Sequence, residues 1–133
     1  CLHQNDLELW KNLELQCRMF GVVYVPVPMP DYWLKDEEKL LVGQVSAVAL
    51  HTPGHTPGSM SFLFPLDNVV LAGDTLFRGS IGRTDLWGGD FDAIEQSIRE
   101  RLYTLEDTTI VVTGHGPETE IGVEKETNQF IRV

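Results

Sequence analysis

The chain's 133 residues carry ten Lys and Arg against twenty Asp and Glu, a net charge of −10 that excludes a phosphate backbone or an anionic membrane surface as its main partner. Hydrophobic content of 42% and charged content of 23% are those of a single globular domain over residues 1–133, long enough to bury a core. Two cysteines, Cys1 and Cys17, with no Cys-x-x-Cys, exclude a disulfide scaffold and point to a reducing compartment, the cytoplasm.

The chain opens on Cys-Leu-His rather than Met, which reads as a cut end. Asn5 or Asp6 can cap a helix through Leu7, Leu9, Trp10, Leu13 and Leu15, whose spacing is helical. The stretch from Gly21 to Trp33 is extended and irregular, and its three prolines, Pro26, Pro28 and Pro30, bar it from spanning a membrane. Strands are predicted at Leu40–Val42, Val45–Leu50, Met60–Phe64 and Val69–Ala72. Met60, Phe62 and Phe64 alternate with Ser59, Ser61 and Leu63, as a strand with one well-buried face would. Asp90 can cap a helix with Phe91, Ile94, Ile98, Leu102 and Leu105 on one face. A short buried strand, "TIVVTG", follows, and Thr119 can cap a last helix through Ile121, Val123 and Lys125. Strands first, then strand–helix alternation, predict helices packed on sheet in an α/β or α+β layer fold.

Three segments carry chemistry. "HTPGHTPGSMSF" places His51 and His55 four apart, but Pro53, Gly54, Pro57 and Gly58 forbid a helix there, so the histidines sit on a stiff turn. "VVLAGD" and "IVVTGH" are each an apolar strand, then Gly, then one polar residue: Asp74 and His115. Sites gather beyond the carboxyl ends of strands in sheet-and-helix folds. Imidazole and carboxylate suit zinc and other divalent metals. A rigid turn limits the entropy lost in positioning a ligand, which favours His55 at its centre over His51 on the strand side. A solitary loop His, or an Asp after a strand, is more often structural. The metal reading draws its strength from the three occurring together.

"HTPGHTPGSMSF", "LAGDTLFRGSIGRTD" and "VVTGHGPETEIGVEKETN" together resemble the metallo-β-lactamase fold superfamily in its glyoxalase II-like, hydroxyacylglutathione hydrolase-like branch. The resemblance implies an αββα sandwich with a metal site at one edge of its sheets. It implies His55, Asp74 and His115 as metal ligands, Asp74 as the bridging carboxylate and a catalytic residue, and His51 as no ligand. The family's H-x-H-x-D-H motif is absent, so the chain reads as an N-terminally truncated, partial domain lacking half of the metal site. Gln129 also stands where relatives often have proline.

The resemblance implies one or two divalent metals, zinc with iron or manganese as alternatives, that lower the pKa of a bound water for attack on a thioester. The site of this chain by itself is expected to be weakly filled or empty. Arg78 and Arg83 are candidates to meet a small anionic thioester substrate, although Arg83 and Asp85 can equally form a loop-fixing ion pair. Glu118, Thr119, Glu124 and Asn128 read as pins of the last helix. Two other functions stay open. A mononuclear-iron persulfide dioxygenase shares the "GRTD" loop, but Gly116-Pro117 replaces the Asp-Tyr usual there. A non-catalytic fragment would cover its exposed sheet edge with a second copy, as a homodimer or larger.

Overall fold

The computed structural model describes residues 1–133. A short strand β1 (Leu2–His3) pairs in parallel with β2 (Trp33–Leu34), and helices α1 (Leu7–Lys11) and α2 (Leu13–Met19) lie between them in sequence. The single helix expected from Leu7 to Leu15 is therefore two. Asn12 Nδ2 donates to the Glu8 carbonyl at 2.7 Å and Gln16 Nε2 to the Leu9 carbonyl at 2.7 Å. The Glu8 carbonyl still accepts the Asn12 N–H at 3.2 Å, but Gln16 occupies the Leu9 carbonyl that a continuous helix would give to the Leu13 N–H, the usual way an amide competes with the backbone. Asp6 makes no capping bond to α1. Its carboxylate instead accepts the Gly58 N–H at 2.6 Å and the Thr56 hydroxyl at 2.8 Å, fifty residues away.

The centre is one six-stranded sheet. Its strands are β3 (Lys39–Val42), β4 (Val45–His51), β5 (Met60–Phe64) and β6 (Val69–Gly73), then β9 (Ile110–Thr113) and β10 (Thr119–Glu120). A separate hairpin of β7 (Leu76–Phe77) and β8 (Ser80–Ile81) leaves from the end of β6. The spatial order is β10-β9-β6-β5-β4-β3. Consecutive strands β3 to β6 pair antiparallel, whereas β6 and β9 are parallel. A parallel neighbour requires a long crossover, and here the crossover holds α3 (Phe91–Ser97) and a π-helical turn, Ile98–Leu102.

Asp90 caps α3 through a 3.0 Å bond from the Ala93 N–H. The wider turn that follows, closed by Tyr103 N–H on the Ile98 carbonyl at 2.7 Å, brings Leu102 and its sequence neighbour Tyr103 both into the core. Helix α4 (Ile121–Thr127) completes the layer, and Ile94, Ile98, Leu102, Ile121 and Ile131 pack with Val70, Ala72 and Val111 of the sheet. Thr119, expected as the cap of α4, lies in β10 instead, and its hydroxyl donates to the wholly buried Glu124 at 2.6 Å.

On β5 the polar member of the alternation is the buried one. Ser61 is the buried residue of β5, bonded to the Thr52 hydroxyl at 2.9 Å, while Met60, Phe62 and Phe64 are only half-buried. Cross-strand register puts Phe62 beside Leu71 and Leu71 beside Val112, so this apolar face continues across three strands. Leu71 and Ile110 are exposed on it. The helices cover the other side, and the alternation in β5 could not show which face they would choose. The class is mixed α/β: one six-stranded sheet with helices on one face and two short two-stranded pairs beside it.

Candidate metal centre

The loop from Thr52 to Ser59 joins β4 to β5 and is held from several sides. Thr52 N–H bonds the Ser59 carbonyl at 2.9 Å and Ser97 of α3 donates to the Pro53 carbonyl at 2.7 Å. Gly54, at φ +134°, lies so close to α3 that a Cβ there would meet the Ile94 backbone nitrogen at 2.3 Å. Only glycine allows both that angle and that approach. Asp6 fixes the remaining side through Thr56 and Gly58. His55 projects from this clamped loop. Its Nδ1 donates to the Arg83 carbonyl at 2.9 Å, so Nε2 keeps a free lone pair, and that nitrogen lies 3.6 Å from Asp74 Oδ2.

Asp74 and His115 owe their meeting to the parallel β6–β9 pair, in which Gly73 stands opposite Thr113. Both strands end at the same edge, and the next residues leave the sheet side by side. His115 Nε2 lies 3.9 Å from Asp74 Oδ1, the other oxygen of the same carboxylate. A Cβ on Gly114 would meet Asp74 Oδ1 at 2.1 Å, so this position must be glycine for the carboxylate to stay where it is. The His115 ring rests against Phe77, with centroids 4.6 Å apart. Exposure rises from 23% for the His55 side chain through 38% for Asp74 to 77% for His115.

The three residues thus form two imidazole–carboxylate pairs sharing Asp74. No three His, Cys, Asp or Glu side chains converge on a single point. A cleft of about 450 Å³ opens over them, lined also by Phe77, Arg78 and Arg83.

The other expected residues separate. His51 lies outside the cluster: its Nε2 donates to the Pro57 carbonyl at 2.9 Å and its ring stacks on His3 at 4.1 Å. Burial, and then the neighbouring His51, hold the His3 imidazole below its usual pKa, against the opposing pull of Asp6 and Asp36. Arg83 forms a bidentate pair with Asp85, both bonds 2.8 Å, which raises its own pKa and lowers the Asp85 carboxyl to about 2. Its guanidinium is engaged, and what Arg83 gives the site is its backbone carbonyl. Arg78 is exposed, lines the cleft and has no carboxylate partner. Glu124 accepts the Gly79 N–H at 2.8 Å and the Asn128 amide at 2.8 Å, and Asn128 also donates to the Ser80 carbonyl at 3.0 Å. These bonds tie α4 to the β7–β8 hairpin that carries Arg78. Glu118, expected among the pins, is exposed and has no side-chain bond. Asp6 and the Arg83 carbonyl went unforeseen; nothing in residue type or spacing marks a contact across fifty residues or one made by the backbone.

The family model described as the metallo-beta-lactamase superfamily matches residues 1–115. Hydroxyacylglutathione hydrolase GloC of Haemophilus influenzae is 38% identical over 130 residues, which are 97% of this chain and 61% of that protein. Among solved structures, TTHA1623 in a di-iron-bound form superposes with a TM-score of 0.89 at 40% identity, over 98% of this chain and 63% of that one. The BLEG-1 B3 metallo-beta-lactamase gives 0.88 at 38%, again over 98% and 63%. The chain spans less than two thirds of the length of these relatives. By sequence and by fold, it belongs to the metallo-β-lactamase superfamily.

Proposed function

We propose that this chain is part of a metal-dependent hydrolase, a thioesterase of the hydroxyacylglutathione hydrolase type, and that His55, Asp74 and His115 are its metal ligands. One observation carries the reading: a single carboxylate standing between two imidazole nitrogens, at 3.6 and 3.9 Å. The donors fit a divalent cation, since imidazole and carboxylate serve zinc, iron and manganese alike. His55 also bonds a carbonyl through its other ring nitrogen, as metal-bound histidines do. The likeness to hydroxyacylglutathione hydrolase GloC supports the thioester, and the di-iron-bound relative supports iron beside zinc.

A bound divalent metal supplies Lewis acidity and lowers the pKa of an attached water. The chain's own residues do the rest. The Arg83 carbonyl fixes the His55 tautomer and ring plane, and Asp74, whose carboxylate has room only because residue 114 is glycine, would orient the attacking water. Arg78 meets an anionic group of the substrate at the cleft.

Two ligands per position fall short of the three that a zinc site needs, so this chain on its own should bind metal weakly. Calorimetric titration of the 133-residue chain with Zn²⁺ tests this. Weak binding that disappears in Asp74→Asn is the expected result, with thioester hydrolysis near background. Tight uptake of two metals by one copy would overturn the half-site. Failure of a longer relative-length protein to turn over any member of a thioester panel would overturn the thioesterase.

A further inference from the structure

A second opening meets the metal cleft at His55, which lines both. It is a groove of about 180 Å³ between Leu9, Leu15, Met19 and Phe20 on one wall and Leu86 and Trp87 on the other. Leu15, Met19, Phe20 and Trp87 are 55, 75, 60 and 61% exposed, a concentration of large apolar side chains that asks for an occupant. Its two amides are engaged elsewhere, Asn12 on the Glu8 carbonyl and Gln16 on the Leu9 carbonyl. In a chain with twenty acidic residues, no carboxylate lines this groove. Arg78 supplies the opposite chemistry, a cation without a carboxylate partner that lines the cleft but not the groove. Apolar surface on one side of His55 and a free guanidinium on the other define a polarised site.

We propose that the groove is an acyl subsite, taking an aliphatic chain whose anionic end lies in the cleft toward Arg78. The occupant is an amphiphilic anion: an aliphatic acyl thioester bearing a negative charge, with its carbonyl beside His55 and Asp74. The placement of that carbonyl rests on the hydrolase reading, whereas binding of the chain and charge does not.

Fluorescence titration of the metal-free 133-residue chain with butanoate, hexanoate and octanoate tests the subsite, with Trp87 as the reporter. Affinity should rise about two- to fourfold per methylene, up to the value of a fully buried CH₂. The signal should be lost in Trp87→Phe. Leu15→Glu should weaken octanoate at least tenfold, and Arg78→Ala should weaken octanoate but not octanol. Leu15 is a surface position on α2 and glutamate favours helices, so that variant should keep its circular dichroism melt; Met19→Glu repeats the test if it does not. Affinity that ignores chain length, or an Arg78→Ala effect equal for octanol and octanoate, would overturn the proposal. A dimer that Leu15→Glu dissociates, with no response to octanoate, would also overturn it and make the groove an interface between copies. No metal or turnover enters the measurement, so failure of the thioesterase reading and failure of the subsite are told apart.

Discussion

Asp6 shows how much one carboxylate can do outside the role its position suggests. Sequence spacing marks it as a helix cap, yet both its oxygens hold the loop that carries His55. Asp6→Ala should leave the Gly58 N–H and the Thr56 hydroxyl without this acceptor, at about 1–3 kcal/mol. Urea unfolding reads that loss, and an unchanged midpoint would show that the clamp is idle. His3 allows a pH prediction. Its folded pKa lies below the ordinary imidazole value of 6.5, so the folded state binds fewer protons than the unfolded one. The stability it contributes is full above 6.5 and is lost as pH falls through the lower folded pKa. The melting temperature should therefore drop on acidification below 6.5, and His3→Phe should flatten that part of the profile. A wild-type slope retained in His3→Phe would assign it to other groups.

At the level of elements, the strands and the loops bearing His55, Asp74 and His115 were readable and the helices were less so. β4, β5, β6 and β9 follow apolar runs bounded by Gly, Pro or Asn, and hydrophobic periodicity captures such runs directly. The His55 loop was readable because prolines and glycines have few conformations to choose from. The break at Asn12 was not, since it depends on which carbonyls Asn12 and Gln16 reach once folded. Nor was the hub at Glu124, where a buried carboxylate joins α4, β10 and the β7–β8 hairpin by three hydrogen bonds. Glu124→Ala would leave the Thr119 hydroxyl and one Asn128 amide hydrogen unpaired in the interior, at about 1–3 kcal/mol each, and the half-buried Gly79 N–H without its acceptor. Glu124→Gln should recover part of that loss. Denaturant midpoints ordered wild type, Gln, Ala are the expected outcome, and an Ala variant as stable as wild type would remove Glu124 from the fold's supports.

On the scale of the whole molecule, the half-buried apolar face of the sheet over β5, β6 and β9 dominates. Phe62, Leu71 and Val112 lie in register on it, and β3 is an edge strand. An apolar face of that extent beside an unpaired edge favours association. The 133-residue chain is expected to be a dimer or larger at micromolar concentration, and Leu71→Lys should shift it toward monomer in light scattering. A stable monomer with a cooperative melt would show that the half-buried face tolerates water.

The parallel pairing of β6 with β9 also has a consequence in time. The 36 residues from 74 to 109, with their hairpin, helix and π turn, separate the two strands, and they must be gathered before Gly73 can stand opposite Thr113. Long-range pairings of this kind form late, because loop-closure entropy opposes them until the rest of the structure is in place. Asp74 and His115 are therefore expected to become neighbours late in folding. A metal that needs both would find no site on the way down. If the proposed ligands bind a cation, Zn²⁺ or Fe²⁺ should leave the refolding rate unchanged and slow only unfolding, by the small amount that weak binding allows; a metal-accelerated refolding rate would show the pair forming early.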